Sequence, residues 1–157
     1  MNDVVTLTVA DAGELLTLQR AAYVTEAQAH GDPYLPPLRE SLAEVRRALT
    51  DPCTTVLGLR DGSRLVASVR IRHQPGRDGA ELGRFAVAPD CQGEGLGTRL
   101  LLAAEERLPS TVGAIHLFTG EHSPANLRLY ARHGYRETRR VSTAQGYAVV
   151  HLVKQIR

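Results

Sequence analysis

Between Gln92 and Thr98 the chain reads Gln-Gly-Glu-Gly-Leu-Gly-Thr, with glycines at alternate positions just ahead of an amphipathic stretch bearing Leu100, Leu101, Ala104 and Leu108. Glycine lets the backbone take positive φ and approach a ligand closely. Several N–H groups can then converge beside a helix N-terminus, whose partial positive charge favours phosphate. The chemistry is that of an anion cradle. A Walker-type loop would need Gly-Lys-Ser/Thr, and the one lysine of the chain is Lys154. A dinucleotide fingerprint needs Gly-x-Gly-x-x-Gly after the first strand of a βαβ unit and an acidic residue ~20 positions later. Here the glycines are Gly93, Gly95 and Gly97 in mid-chain, and the next strand carries His116 instead. A tight turn of purely structural use also satisfies the glycines. Cys91 borders the turn with no histidine near it, which marks it as a bystander and not an acyl carrier.

The elements around this turn alternate between the two periodicities. Val4–Val9 reads as a strand. Asp11 and Glu14 form a capping-box pattern that opens a helix with Leu15, Leu18 and Ala22 on one face. Three prolines in Gly31–Leu38 rule out its continuation. Ser41 and Glu44 make a second capping box, ahead of Leu42, Val45 and Leu49. Two strands follow, Thr54–Leu59 and Arg64–His73, around an Asp61-Gly62 turn. In the second, Leu65, Ala67, Val69 and Ile71 alternate with Arg64, Ser68, Arg70 and Arg72, which predicts one buried and one wet face. Strand Glu81–Ala88 leads into the glycine turn and a helix Thr98–Leu108. After it come strand Ala114–Thr119, helix Pro124–His133, and a hairpin around Tyr135–Val141 and Tyr147–Lys154.

Size and composition narrow the class. A 157-residue, 17.1 kDa chain is expected to form one domain, residues 1–157. With 43% hydrophobic and 23% charged residues it is neither disordered nor membrane-like. The longest runs without Asp, Glu, Lys or Arg are the 13 residues Leu108–Gly120 and Val141–Val153, short of the ~18 a span needs. No export signal is expected, because the first residues show no basic flank followed by an apolar run. Cys53 and Cys91 are expected to be free thiols in a reducing compartment, the cytoplasm, and no metal-ligand spacing is present. The net charge of +2 arises from ten acids against nine arginines in residues 1–80 and seven acids against ten basic residues in the remainder. That mild asymmetry does not suggest a duplex-DNA binder, for which a strongly basic face is expected, and it suits a small polyanionic ligand held by the second half. An arginine-rich RNA-binding domain is disfavoured, because the arginines alternate with acids and no aromatic RNA motif occurs.

The glycine turn resembles the acyl-coenzyme A signature of the GNAT superfamily of N-acetyltransferases, Arg/Gln-x-x-Gly-x-Gly/Ala, with Gln92, Gly95 and Gly97 in its defined positions. It is preceded by Phe-Ala-Val-Ala-Pro and followed by a Leu-Leu pair. Downstream, Ser123–Glu137 is similar to the family's Asn-x-x-x-Leu/Ile-Tyr-x-x-x-Gly-Phe/Tyr helix, with Asn126, Tyr130, Gly134 and Tyr135 matching apart from one residue of leading spacing. The element order agrees over essentially the whole chain. The resemblance implies an α/β (α+β) fold: a central mixed, mostly antiparallel sheet, about four helices, and an acyl-CoA cleft between two splayed strands.

It also implies roles. The backbone of Phe85, Ala86 and Val87 would pair with the pantetheine arm. The amides of Gln92, Gly93, Glu94, Gly95, Leu96, Gly97 and Thr98 would hold the pyrophosphate. Asn126 and Tyr130, four apart, share a helical face. Asn126 would hydrogen-bond the pantetheine, and the Tyr130 hydroxyl would act as general acid at the thioester sulfur. Acetyl-CoA would be the cosubstrate, with no metal. A neutral primary amine would attack the thioester directly through a tetrahedral intermediate, so a base must accept a proton. Glu81, 14 residues before Gly95, is the first candidate; His116 and His122 are alternatives and Glu121 a weaker one.

The acceptor side would be lined by Tyr23–Leu38 and Val141–Tyr147. There Tyr23 and Tyr34 offer an apolar wall, and Glu26 and Asp32 either attract a cationic amine or solvate a loop. Arg128, Arg132, Arg136, Arg139 and Arg140 read as a solvated face or as a site for the coenzyme's ribose phosphate. Expected partners are acetyl-CoA and an amine, with a homodimer left open and neither nucleic acid nor membrane. A non-catalytic acyl-CoA-binding sensor with the same fold is the alternative.

Overall fold

The computed structural model describes Asp3–Ile156. Seven strands form one sheet: β1 (Asp3–Thr6), β2 (Thr54–Asp61), β3 (Arg64–Arg72), β4 (Gly79–Val87), β5 (Ala114–Gly120), β6 (Arg136–Ser142) and β7 (Ala148–Gln155). Their order is β1-β2-β3-β4-β5-β7-β6, antiparallel except for β4 against β5. A parallel pair needs a crossover, and α4 (Leu96–Arg107) supplies it. The other helices are α1 (Ala12–His30), the single turn α2 (Pro36–Arg39), α3 (Leu42–Thr50) and α5 (Pro124–Arg132).

The helices cover both faces. Leu15, Leu18 and Ala22 of α1 and Val45 of α3 pack with Val56 and Leu65 of the sheet on one side. Leu100, Leu101 and Ala104 of α4 and Tyr130 of α5 pack with Val69, Ile71, Ile115 and Leu117 on the other. This corrects the wet face expected for β3. The strand is central, so α1 covers the face that alternation assigns to solvent: Ser68 is buried and Arg70 half-buried.

Local signals hold where side chains close their own hydrogen bonds. The Ser41–Glu44 capping box is reciprocal, each bond 3.1 Å long. The Asp11–Glu14 box does not form. Thr8 and Asp11 cap a 3-10 turn over Val9–Asp11 instead, and Glu14 is drawn to the sheet. There it accepts the N–H of buried Leu65 at 3.1 Å and pairs with Arg60 at 2.9 Å. The prolines do end α1, with Gly31 in the left-handed region at φ 60°. Pro36 and Pro37 then occupy the first positions of α2, where a missing N–H costs nothing. That extra turn brings the helices to five. The acyl-turn helix begins at Leu96, two residues earlier than read, because Gly95 at φ 81° serves as its N-cap. Among the described residues no helix is long and apolar enough to cross a membrane.

The Glu14 tether generates a stability prediction. Glu14→Ala leaves the buried Leu65 N–H without an acceptor and is expected to cost about 1–3 kcal/mol, read as a lower urea midpoint at unchanged slope. The hydrogen bond from Arg60 lowers the Glu14 pKa against the opposing effect of burial. The ionised tether is therefore fully stabilising above the ordinary carboxylate pKa. The gap between wild type and variant should shrink as pH falls through the depressed folded-state value.

Candidate active site

The β4–β5 ladder runs through only three pairs, from Gly79↔Ala114 to Glu81↔His116. Beyond it the strands part. β4 turns away because its pairing with β3 slips by one residue: Arg70 pairs with Gly83, but Ser68 pairs with Ala86. Arg84 and Phe85 together oppose Val69, which is a β-bulge, and Arg84 takes φ 52°. An extra residue reverses which face each later side chain meets. Ala80 and Leu82 face the α4 side before the bulge, and Phe85 and Val87 pack on that same side after it. Arg84 is thereby sent to the α1 side. The apolar spacing, 80 and 82 then 85 and 87, is the sequence signal for this break.

The glycine turn sits at the end of β4. Gly93 and Gly95 both have φ 81°, and a Cβ on either would meet no protein atom within 4 Å. Among the described residues no N–H from Gln92 to Thr98 donates to a protein acceptor; the first helical bond is Arg99 N–H to the Gly95 carbonyl, 3.2 Å. Phe85, Ala86 and Val87 lie on the parted edge, Gln92, Gly93, Glu94 and Gly95 are exposed in the turn, and Leu96, Gly97 and Thr98 form the first turn of α4. Unpaired N–H groups, a helix N-terminus and open space at two left-handed glycines fit the pyrophosphate of coenzyme A.

Across the opening, α5 presents Asn126 and Tyr130. The Asn126 side-chain amide donates to Thr119 Oγ1 of β5 at 3.3 Å. Tyr130 is 3% exposed, with its ring 5.9 Å from Phe85 and 5.9 Å from Tyr135. Its hydroxyl has no hydrogen-bond partner among the described residues. Burial raises its pKa, with Tyr23 and Glu26 adding to the rise, so it keeps its proton. Tyr135 differs: its hydroxyl donates to Glu105 at 2.8 Å, a packing role.

Both Tyr130 and Asn126 border a cavity of about 920 Å³ that also takes in Glu81, His116 and the end of α1. Glu81 and His116 are register partners at the last rung of the ladder, both exposed. His122 lies outside this cavity; its backbone N–H donates to His30 Nε2 at 3.0 Å. His30 Nδ1 faces the Glu26 carbonyl at 2.9 Å, which sets the Nδ1–H tautomer and engages both nitrogens. Glu121 is also occupied, accepting the Ala148 N–H at 2.5 Å. Glu26 and Asp32 are clamps, not loop solvation. Glu26 accepts the Ser123 hydroxyl. Asp32 accepts the Tyr34 N–H at 2.9 Å and the Tyr147 hydroxyl at 2.6 Å, which with burial pushes the Tyr147 pKa up to about 12. His151, missed in the sequence, lines the cavity from β7, its pKa lowered by burial and by Arg139.

The model of the Acetyltransferase (GNAT) family matches residues 14–135, most of the chain. The chain belongs to that family. It is 29% identical to the S-(2-succino)cysteine N-acetyltransferase of Bacillus subtilis (strain 168), covering 94% of this chain and 92% of that protein. Two solved structures share the fold. The PaiA N-acetyltransferase of Thermoplasma acidophilum in complex with coenzyme A superposes with a TM-score of 0.77 at 17% identity, over 99% of each chain. The ribosomal-protein-S18-alanine N-acetyltransferase of Escherichia coli gives 0.78 at 21%, over 99% of this chain and 94% of that one. Acetyl-CoA is thus the cosubstrate of this acyltransferase.

On the α1 side of the sheet in this GNAT chain the sequence reading missed Glu40, Arg70 and Arg84. Arg70 makes a bidentate pair with Glu40 at 2.9 and 3.1 Å. Gln19 donates to the same carboxylate at 3.0 Å and to the Pro37 carbonyl at 2.9 Å. Burial opposes ionisation of Glu40, but these hydrogen bonds and the charges of Arg70 and Arg84 outweigh it and hold its pKa down. Arg139 borders the cavity, while Arg140 pairs with Glu137 and Glu121. The five-arginine run therefore does not act as one patch.

Gly95→Val tests the cradle, since it forces a β-branched residue to φ 81° and projects its side chain into the open space above the turn. Coenzyme A affinity is expected to fall at least tenfold, about 1.4 kcal/mol, in calorimetric titration of protein whose circular dichroism confirms folding. Unchanged affinity in folded protein would remove the turn from the coenzyme site.

Proposed function

We propose that residues 1–157 work as one domain that transfers an acetyl group from acetyl-CoA to the primary amine of a small molecule by direct attack on the thioester. The observation that carries this reading is the hydroxyl of the buried Tyr130, which faces the cavity at the parted edge of β4 and β5 without a partner among the described residues. Bound there, acetyl-CoA supplies the electrophilic carbonyl and a thiolate leaving group. The amides from Gln92 to Thr98 hold its pyrophosphate. The backbone of Phe85 to Val87 pairs with its pantetheine, and Asn126 adds a side-chain hydrogen bond. Glu81, at the last closed rung, accepts the proton the amine must shed, directly or through water. Tyr130 donates to the departing sulfur.

The raised Tyr130 pKa supports a donor and not a base. The engagement of His30 and Glu121 favours Glu81 as base, with His116 as the fallback. The name of the 29%-identical relative favours turnover over the sensor alternative, and a small amino-acid-like acceptor over a protein. Two free cysteines, Cys53 and Cys91, suit the cytoplasm.

Tyr130→Phe keeps the ring packed and removes the donor. It is expected to lower kcat by about 10²-fold while coenzyme affinity holds, because the interaction grows only as charge develops on sulfur. Normal turnover with a small loss of stability would reduce Tyr130 to core packing. Glu81→Gln is expected to lower kcat/KM by about 10²-fold and to remove the acidic limb of its pH profile. An unchanged profile transfers the base to His116 or a water chain.

A further inference from the structure

The acceptor half of the cavity is lined by Arg39, Arg70, Arg72, Arg84 and Arg139, against the carboxylates Glu26, Asp32 and Glu81. Two of those carboxylates are already used as clamps, by the hydroxyls of Ser123 and Tyr147. Arg39, Arg72 and Arg139 stand exposed at the rim, and among the described residues none has a carboxylate within 4 Å. Deeper in, Arg70 and Arg84 share one anion. Glu40 gives both oxygens to Arg70 and one also to Gln19. Arg84 reaches only 3.5 Å through Nε, a contact without hydrogen-bond geometry. Its side chain is 24% exposed, and among the described residues none of its guanidinium N–H groups has an acceptor. A half-buried charge left without hydrogen bonds is costly. The bulge that faces Arg84 this way also holds a non-glycine residue at positive φ, and such strain concentrates at ligand sites.

We propose that the acceptor amine carries a carboxylate, which binds at the Arg84 guanidinium beside the Arg70–Glu40 pair. This rests on the acetyl-transfer reading above. A carboxylate matches the planar fork and completes the pair that Glu40 leaves half made. The positive rim draws in acidic amines and repels polyamines. It also disfavours the ammonium form of a bound amine, and only the neutral amine can attack.

Succinate, which has no amine, tests the subsite apart from turnover. Titrated into protein saturated with coenzyme A, so that coenzyme phosphates cannot explain the signal, it is expected to bind wild type and to bind Arg84→Gln at least tenfold more weakly. Glu40→Gln removes the competing internal carboxylate and should tighten succinate binding, whereas a purely structural trio would lose binding in both variants. Arg84→Gln should melt no lower than wild type, so its effect is readable even if Glu40→Gln folds poorly. Equal succinate affinity in wild type and Arg84→Gln, or no binding at all, overturns the proposal. In thiol-release assays, amino acids are expected to exceed their carboxamides at least tenfold in kcat/KM, and Arg84→Gln should erase the preference. Carboxamides or polyamines turned over equally well would overturn the carboxylate inference and leave acetyl transfer standing. Failure of every amine would instead count against acetyl transfer, while the succinate arm still decides the subsite.

Discussion

A sheet stays closed only while its neighbouring strands keep the same register and twist, and here β4 cannot do so past Glu81. The extra residue at Arg84–Phe85 bends it toward β3 and away from β5. Everything that makes a site follows from that parting. Two strand edges are left without each other in the middle of a sheet, where edges are normally paired or covered. An extended ligand can add itself there as a strand would. The same extra residue sends Phe85 to the Tyr130 side and Arg84 to the α1 side, so one irregularity shapes both sides of the opening.

The rest of the molecule closes its hydrogen bonds with care. Leu65 N–H finds Glu14, the first turn of α3 finds Ser41, and the hydroxyls of Tyr135 and Tyr147 find Glu105 and Asp32. Against that background, among the described residues, the Tyr130 hydroxyl, the Arg70 Nε and the Arg84 guanidinium stay open at the cavity, and the amides from Gln92 to Thr98 stay open in the turn after β4. Unmade bonds are costly when buried. A fold that leaves such bonds unmade keeps groups that a ligand can complete.

The far end of α1 is fastened to other elements. His30, Glu26 and Ser123 tie it to the start of α5, and Asp32 and Tyr147 tie the following loop to the hairpin. The imidazole lies against the Gly120 backbone, where a Cβ would collide with the ring. These ties join residues 92, 97 and 115 positions apart, so this end of the cavity is assembled from distant parts of the chain.

Much of this was legible in the residues themselves. The glycine turn, the Asn126–Tyr130 spacing and the order of strands and helices are local patterns, set by steric freedom and by periodicity, and they led to the family and to the fold. The same local logic failed where a distant partner offered more. Glu14 left its predicted cap for a strand amide, and the polar face of β3 was covered by α1. Glu40, Arg70 and Arg84 come from three separate segments and carry no common motif, so nothing in their neighbours announces that they meet. Their meeting is decided by a one-residue slip in the pairing of β3 with β4, a property of two strands packed together that neither strand possesses alone.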